Sequence, residues 1–371
     1  MRAASQAEKA RLADTFVSLC RISSVFGHER ECSDAVSGQL RGMGLEVEED
    51  EAGNLLARVP GRGERSILLC AHLDTVDDSG IPIEPVIADG GWENENAGIL
   101  GADNKAAVAV ILELARRCSV EGSPVGLELL FTVSEENALA GAKAFDRGRL
   151  SSEFGYVFDH ATPIGEIVIA SPTYFRIAAA FHGRAAHAGI RPEAGRSAIL
   201  AAAHAVASMP HGRIDPETTA NVGSIEGGVG STNVVPEHCR LLAEVRSVDA
   251  QRVEQVVAEM VDAVHDGAAT AECDVDVVVE KLFVGYRTRS ATPAVRAAEA
   301  ALRACGYQPR KIVTGGGSDA NVFEADRLPC VNLANGTEHN HEPTERVSVA
   351  ALEGMLDVAF ALLAEAAEVE A

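Results

Sequence analysis

The amino-acid sequence predicts an α/β protein with a smaller α+β domain inserted in its chain. Apolar runs typical of buried strands alternate with helical segments up to residue 172 and again from residue 287. Between these points the order of elements changes to βαββαβ. A chain of 371 residues also exceeds the usual size of a single core. We therefore expect one domain made of residues 1–172 and 287–371, and an inserted domain made of residues 173–286.

Composition and charge narrow the class of protein. Hydrophobic residues make up 47% of the chain and aromatic residues 4%, which fits a soluble α/β protein. The formal charge of −23 argues against binding to nucleic acid or to an anionic membrane. The N-terminal stretch is charged and lacks the apolar core of a signal peptide, and no run is as long as a membrane span. We expect a cytoplasmic protein.

The first part of the chain is expected to contain two helices and a central strand. Residues 8–20 and 29–43 have the pattern of amphipathic helices, and two strands around an acidic Ala-Gly-Asn turn follow them. Residues 67–76, ILLCAHLDTV, are apolar with charged and glycine-rich flanks, as in a strand covered on both faces. A loop over residues 77–101 comes next, and its length favours a functional or mobile segment.

Three predicted strands carry ionisable residues at or just beyond their ends. A helix from Gly101 to about Arg117 separates the strand at 67–76 from a strand at 127–133, and a third strand ends at residue 160. The ionisable residues at these ends are His72, Asp74, Glu135, Glu136, Asp159 and His160. Because α/β folds place ligands where strands leave the sheet, we expect a site there.

The inserted domain and the C-terminal segment complete the predicted order of elements. The insertion is expected to hold, in order, elements at 173–182, 197–208, 219–226, 239–247, 250–267 and 275–282. After it we expect a helix at 292–305, a glycine loop at 314–319, a strand at 329–334, a turn at 335–341 and a helix from Ser348. The glycine loop lacks the Walker spacing and its lysine, so a backbone wall against a substrate is favoured over phosphate binding.

Seven acidic and imidazole groups are expected near one sheet edge: His72, Asp74, Asp103, Glu135, Glu136, Asp159 and His341. Each alone has an ordinary explanation, such as a hydrogen-bonded histidine, a helix N-cap or an exposed glutamate. Together, five carboxylates would repel one another strongly without a cation. Imidazole and carboxylate ligands suit zinc, with cobalt or manganese as substitutes, and one carboxylate could bridge two ions. One of the adjacent pair Glu135 and Glu136 can bind metal while the other faces the attacking water as general base.

The motifs HLDTV, GADNKAAVA, TVSEEN, FDH, GRAAHAG, GGGSDANVF and NHEPTERV, in this order, resemble those of the dinuclear zinc exopeptidases. This family includes peptidase T, carboxypeptidase G and the desuccinylases. The stretches ASPTYFRI, TTANVGSIEGG and STNVVPEHCRLLAEVRS are most similar to the peptidase T-like branch. The resemblance covers nearly the whole chain. It implies a mixed-sheet catalytic domain and an inserted ferredoxin-like domain that acts as a lid and forms a homodimer.

The resemblance implies two Zn²⁺ ions per chain and a role for each residue around them. The implied ligands are His72 and Asp159 for one ion, Glu136 and His341 for the other, and Asp103 as the bridge. Glu135 would be the general base, and Asp74 would orient His72, as carboxylates do for metal-bound imidazoles.

Two local details also follow from the resemblance. His341 is the expected ligand rather than His339, because relatives place the ligand before a Pro and a Glu. The peptide bond between Asp103 and Asn104 is cis in relatives, so the same is expected here.

In the inserted domain the resemblance implies contacts to substrate. His187 would reach the active site of the neighbouring subunit and hold the oxyanion, while Asn233 and Arg246 would contact the substrate. Arg246 suits the terminal carboxylate of a peptide because its guanidinium can bind it with two hydrogen bonds. Without the resemblance, these residues would be interpreted as a turn histidine, a strand-end asparagine and a surface arginine.

The activity implied is that of a two-metal aminopeptidase acting on short peptides, with tripeptides as the favoured substrates. In this family an aspartate at the position of Asp159 goes with aminopeptidases, and a glutamate with carboxypeptidases and deacylases. His160 stands where relatives often carry Gly. A carboxypeptidase or N-acyl amino acid deacylase on the same scaffold is the alternative enzyme. A binding or structural homologue without catalysis is the other alternative, against which the full ligand set and Glu135 argue.

Overall fold

A computed structural model describes residues 2–76 and 80–369, so the first three residues of the predicted loop at 77–101 lie outside the described residues. The described residues form two compact units. The larger unit falls within Met1–Ile169, Thr288–Ile312 and Ser318–Ala371, and the smaller within Ala170–Arg287 and Val313–Gly317. In the described ranges no helix is both long enough and apolar enough to cross a membrane.

The first elements of the larger unit include two helices, α1 and α3, that are joined by a buried ion pair. They are α1 (Gln6–Cys20), α2 (Arg30–Gly42), β1 (Val47–Glu49), β2 (Leu55–Val59), β3 (Ser66–His72), β4 (Pro85–Ala88), β5 (Gly91–Asn94), α3 (Ala102–Glu121), β6 (Gly126–Thr132), α4 (Ala140–Ala144), β7 (Phe154–His160) and β8 (Glu166–Ser171). Ser5 and Glu8 form a capping box at the start of α1. Glu8 also accepts two hydrogen bonds from Arg117 of α3, at 2.7 and 2.8 Å, so α1 is fixed to α3.

The smaller unit is an antiparallel sheet with two helices on one face. Its elements are β9 (Thr173–His182), α5 (Ala198–Ser208), β10 (Gly212–Asp215), β11 (Thr218–Gly227), β12 (His238–Ser247), α6 (Ala250–Thr270), β13 (Asp274–Phe283) and β14 (Tyr286–Arg287). The strand order is β10-β11-β12-β9-β13. Phe175, Ile177 and Phe181 alternate along β9 and are buried in the same core as α5 and α6.

The C-terminal elements return to the larger unit. They are α7 (Pro293–Ala304), β15 (Arg310–Val313), α8 (Ala320–Ala325), β16 (Cys330–Ala334), β17 (Thr337–Glu338), β18 (Arg346–Ser348) and α9 (Val349–Glu368). A small antiparallel sheet has the order β17-β18-β5-β4. Ser348 caps α9 by accepting a hydrogen bond from the backbone N–H of Ala351.

The main sheet has the order β1-β2-β6-β3-β7-β16-β8-β14, and β15 also pairs with β8. The four strands β6, β3, β7 and β16 are parallel, whereas β2 and β8 are antiparallel to their neighbours. Residues of β3 and β6 are buried throughout except Ser66, because helices and loops cover both faces. The prediction of a mixed-sheet α/β fold with an α+β insertion is confirmed.

Several elements differ from the sequence prediction. The strand expected at 67–76 ends at His72, so Asp74 lies beyond its end. The stretch expected as a loop at 77–101 contains the hairpin of β4 and β5. The insertion has an additional short strand, β10, at the edge of its sheet. Other strands that were not predicted include β8, β15, β17 and β18. The strands β4, β5 and β10 have four residues each, too few for a clear alternation of apolar and polar positions.

Candidate metal centre

Three adjacent parallel strands deliver most of the predicted ligands to one edge of the main sheet. His72 is the last residue of β3, Glu135 and Glu136 follow the end of β6, and Asp159 is the penultimate residue of β7. The strands lie side by side in the order β6-β3-β7 and run in the same direction. Their carboxyl ends therefore meet, which brings residues far apart in sequence together.

Two further residues reach this edge from turns. Asp103 lies in the first turn of α3, where its backbone angles are not helical, and the Asp103–Asn104 peptide bond is cis, as expected from the resemblance. His341 lies after β17 with a φ of 67°. The Nε2 atom of His341 lies 2.8 Å from Oε1 of Glu136 and 3.4 Å from Oδ2 of Asp103. His339, in contrast, has its Nδ1 atom 3.7 Å from the exposed Glu342.

Asp103 lies between the two imidazoles. Its Oδ1 atom is 3.3 Å from Nε2 of His72, and that same nitrogen is 3.5 Å from Oδ1 of Asp159. The Oδ1 atom of Asp103 is buried and has no hydrogen-bond partner in the described part of the chain. The ligand atoms that lie within 4.8 Å of one another form two groups: His72, Glu135 and Asp159, and His72, Asp103 and Glu136.

The carboxylates of this cluster favour positive charge on the groups next to them. Burial acts to lower the pKa of His72, but the nearby carboxylates, Asp159 first, raise it well above its ordinary value. Burial raises the pKa of Glu135 and of Asp159. Burial also acts to raise the pKa of Asp103, but the nearby imidazoles of His341 and His72 hold it below its usual range. Hydrogen bonds to Asp103 and Glu136 raise the pKa of His341 to about 10.

The carboxylate of Asp74 holds the glutamate pair. Its two oxygens each accept a hydrogen bond of 2.9 Å, one from the backbone N–H of Glu135 and the other from that of Glu136. The Nδ1 atom of His72 lies 2.9 Å from the backbone oxygen of Asp74 and 3.4 Å from its carboxylate. Asp74 thus touches His72 mainly through its backbone, while its fully buried side chain fixes the turn after β6.

Sequence reasoning assigned no role to two more buried acids at these turns. Glu29 accepts hydrogen bonds from the backbone N–H and the hydroxyl of Ser134, at 3.0 and 2.9 Å. Glu345 accepts hydrogen bonds from backbone N–H groups in the turn that leads to Asp103. Burial raises the pKa of Glu345 to about 7. Glu345 is part of the motif NHEPTERV, but nothing in the sequence indicates which distant backbone groups its carboxylate meets.

A third buried acid, Asp319, comes from the predicted glycine loop. Its Oδ2 atom accepts a hydrogen bond of 2.5 Å from the hydroxyl of Thr132 and lies 3.7 Å from Sγ of Cys70. Burial raises the pKa of Asp319 to about 6. The loop therefore places an acid behind the ends of β3 and β6, a feature that the sequence alone did not suggest.

The predicted substrate contacts lie in the smaller unit. His187 pairs with Val234 across an isolated bridge, and the N–H of Ala188 donates to the backbone oxygen of Asn233, so His187 and Asn233 are neighbours. Both side chains are exposed.

Arg246 lies apart on β12 and already has partners within its unit. Its guanidinium stacks on the ring of Tyr174, with 4.1 Å to the centroid. It donates to both carboxylate oxygens of Glu244, at 3.1 and 3.2 Å, and to the backbone oxygen of Gly315 at 3.4 Å. A substrate carboxylate would have to compete with Glu244 for the same donors.

The residues at the sheet edge fit divalent metal ions. The buried Oδ1 atom of Asp103 lacks a hydrogen-bond partner, and the imidazoles of His72 and His341 and several carboxylate oxygens lie around it. Such nitrogen and oxygen donors are those that zinc, cobalt and manganese accept. A mixed α/β sheet with this donor set at its carboxyl edge is the architecture of a metal-dependent hydrolase.

Comparison with known proteins gives the family. A family model described as the peptidase dimerisation domain of M20 matches residues 173–272, and one described as peptidase family M28 matches residues 54–160. The chain is 36% identical over 368 residues to the uncharacterized protein YqjE of Bacillus subtilis, spanning 96% of this chain and 99% of that protein.

Two solved structures are similar to this chain over almost their whole lengths. The aminopeptidase PepT of Bacillus cereus has 37% sequence identity and a TM-score of 0.87, covering 97% of this chain and 99% of the other. A tripeptidase of Staphylococcus aureus has 32% identity and a TM-score of 0.91, covering 97% and 98%. The chain belongs to the peptidase T-like branch of the M20 metallopeptidase family, and the expected resemblance is confirmed.

Proposed function

We propose that this metallopeptidase is a two-metal aminopeptidase that releases the N-terminal residue of short peptides, tripeptides first. The observation that carries the proposal is the set of imidazole and carboxylate donors around the unpartnered oxygen of Asp103. It occurs in a chain that is similar to the aminopeptidase PepT over 97% of its length. A peptidase that cleaves at a free amino terminus accounts for both the donor set and this similarity.

The proposal assigns the metal ligands in two sets that share one carboxylate. His72 and Asp159 would hold one ion, Glu136 and His341 the other, and Asp103 both. The chemistry that two such ions supply when bound is polarisation of the scissile carbonyl and a lower pKa for water. Zinc is proposed as the metal, with cobalt or manganese as substitutes, because the donor set contains no cysteine.

Glu135 is proposed as the general base. Its side chain is nine-tenths buried, and burial raises its pKa, so the carboxylate readily takes a proton from water and passes it to the leaving amine. Asp74 supports this role, because its hydrogen bond to the backbone N–H of Glu135 fixes the position of the base. An oxygen of Glu135 also lies within 4.8 Å of ligand atoms of His72 and Asp159, so a variant at this position must be checked for its metal content.

The inserted domain, expected at residues 173–286, is proposed to be a lid and a dimerisation domain. The match of residues 173–272 to a peptidase dimerisation domain supports a homodimer. So does the edge strand β13, which exposes Val278 and Val279. In the homodimer His187 would hold the oxyanion in the neighbouring subunit, while Asn233 and Arg246 would contact the peptide, Arg246 at its terminal carboxylate.

A cytoplasmic location is part of the proposal. All eight cysteines are free, and six of them are buried. Unpaired thiols in this number fit a reducing compartment better than an oxidising one.

The test of the function compares two sets of substrates. The protein is loaded with Zn²⁺, Co²⁺ or Mn²⁺ and given tripeptides with a free amino terminus, the same peptides with an acetylated amino terminus, and N-acyl amino acids. We expect turnover of the free tripeptides, with release of the first residue. Turnover of only the blocked substrates would replace the proposal by a carboxypeptidase or deacylase. Metal binding without any turnover would support a binding protein.

A further inference from the structure

Glu345 is a fully enclosed carboxylate for which the proposed reaction has no direct use. Only 2% of the residue is exposed, and the side chain accepts three hydrogen bonds from one distant turn. Oε2 accepts from the backbone N–H of Leu100 at 2.9 Å and from that of Gly101 at 2.7 Å, and Oε1 accepts from the N–H of Asp103 at 2.9 Å. We propose that Glu345 is a positioning residue that fixes the bridging ligand Asp103 against His341.

The turn that Glu345 binds has no side-chain cap within its own segment. It leads into α3, whose N-cap residue Gly101 has no side chain to accept a hydrogen bond from the helix start. The first N–H groups of a helix lack partners within the helix, and a negative charge near them is favourable. Glu345, more than 240 residues away in sequence, supplies that acceptor and that charge.

The same segment of chain also carries the second imidazole. Glu345 lies four residues after His341, and between Glu338 and Glu345 the chain contacts Asp103 twice more. Asn340 donates a hydrogen bond of 2.8 Å to Oδ2 of Asp103, and Nε2 of His341 lies 3.4 Å from that oxygen. One short segment therefore contacts Asp103 in two ways. The side chains of Asn340 and His341 contact its carboxylate, and the side chain of Glu345 binds its backbone N–H. The distance between the two metal positions would be set by this double attachment.

A change of Glu345 should weaken metal binding in addition to any loss of stability. In Glu345→Gln the amide oxygen can still accept on one side, but the amide nitrogen presents hydrogens to the backbone N–H groups on the other. The turn then loses part of its support. Loss of such an outer contact weakens metal binding by about 10- to 100-fold. This inference rests on the proposed two-metal site.

The test uses Zn²⁺ alone as the probe. Metal-free parent protein, Glu345→Gln and the matched control Glu342→Gln are titrated by calorimetry, and hydrogen exchange of residues 98–106 is followed by mass spectrometry. Glu342 lies in the same segment, but its carboxylate is exposed. We expect weaker Zn²⁺ binding and faster exchange at residues 98–106 in Glu345→Gln only. If Glu345→Gln fails to fold, Glu345→Asp, which keeps the charge but shortens the reach, should show the same changes.

The outcomes separate this inference from the proposed function. If Glu345→Gln binds Zn²⁺ as tightly as the parent and the control, and exchange at residues 98–106 is unchanged, Glu345 is not a positioning residue, although the two-metal site stands. If the parent itself binds no Zn²⁺, the proposed function fails, while faster exchange in the variant would still show that Glu345 holds this turn.

Discussion

The replacement Asp74→Asn tests the most enclosed carboxylate near the site. In the parent each carboxylate oxygen accepts a buried backbone N–H, from Glu135 and from Glu136, at 2.9 Å. Hydrogen bonds to a charged group contribute about 1.5–3 kcal/mol each. The asparagine oxygen retains one of them, whereas its NH₂ group faces the other N–H and leaves it unpaired. We therefore expect a loss of about 2–4 kcal/mol in the free energy of unfolding.

The assay can be confined to the larger unit. Trp92 is the only tryptophan of the chain and packs edge-on against Phe16, with ring centroids 6.0 Å apart. Its fluorescence during urea unfolding of the metal-free protein therefore reports on that unit. Asp34→Asn is the control, because Asp34 is exposed and pairs with Arg30 in the preceding turn of α2, a contact that contributes about 0.3–0.5 kcal/mol.

The result also distinguishes two interpretations of Asp74. If its carboxylate mainly oriented His72, the unfolding free energy would change no more than in Asp34→Asn, and Zn²⁺ affinity alone would fall. A shift below about 1 kcal/mol would refute the argument from the two backbone hydrogen bonds.

Three further predictions concern catalysis and acid stability. Glu135→Gln should keep its metal, measured by elemental analysis, and lose at least roughly two orders of magnitude in turnover; activity equal to the parent's would contradict its role as base. His187→Ala should lose turnover with metal content unchanged. Mixing this variant with Glu135→Gln should restore part of the turnover through hybrid dimers. No restoration would mean that His187 does not act across subunits. Burial acts to raise the pKa of Glu8, but hydrogen bonds from Arg117 and Arg2 outweigh burial and hold this pKa below its usual range. The contribution of Glu8 to stability is therefore present above the unfolded pKa of about 4.3 and is lost as the pH falls further. The urea midpoint should therefore fall more steeply below about pH 4 in the parent than in Glu8→Gln, and identical pH profiles would contradict this.

The sequence was sufficient for the centre of the fold because its strands are long and apolar. The runs that became β3, β6 and β7 predicted buried parallel strands, and parallel neighbours bring their carboxyl ends together. That argument was enough to expect His72 and Asp159 at one edge. The hairpin of β4 and β5 was missed because its strands are short and lie in a segment rich in turn residues.

The supporting acids could not be predicted in the same way. Glu345 and Glu29 appear in the sequence as ordinary charged residues, and their function depends on backbone groups that only the folded chain brings to them. The division of contacts at Asp74, with its backbone towards His72 and its side chain towards the glutamates, likewise depends on where β3 ends. Local pattern specifies elements, whereas such long-range hydrogen bonds are set by tertiary structure.

The place where the chain enters and leaves the smaller unit makes that unit an exchangeable module. Ser171 pairs with Tyr286 and Ala170 with Arg287 in antiparallel register, so the two ends of the insertion lie one strand spacing apart, about 5 Å. Closing such a gap needs no particular length of chain between the ends. Segments of the smaller unit can therefore be lengthened, shortened or swapped by recombination at this point, while the proposed metal ligands, all encoded outside it, keep their positions.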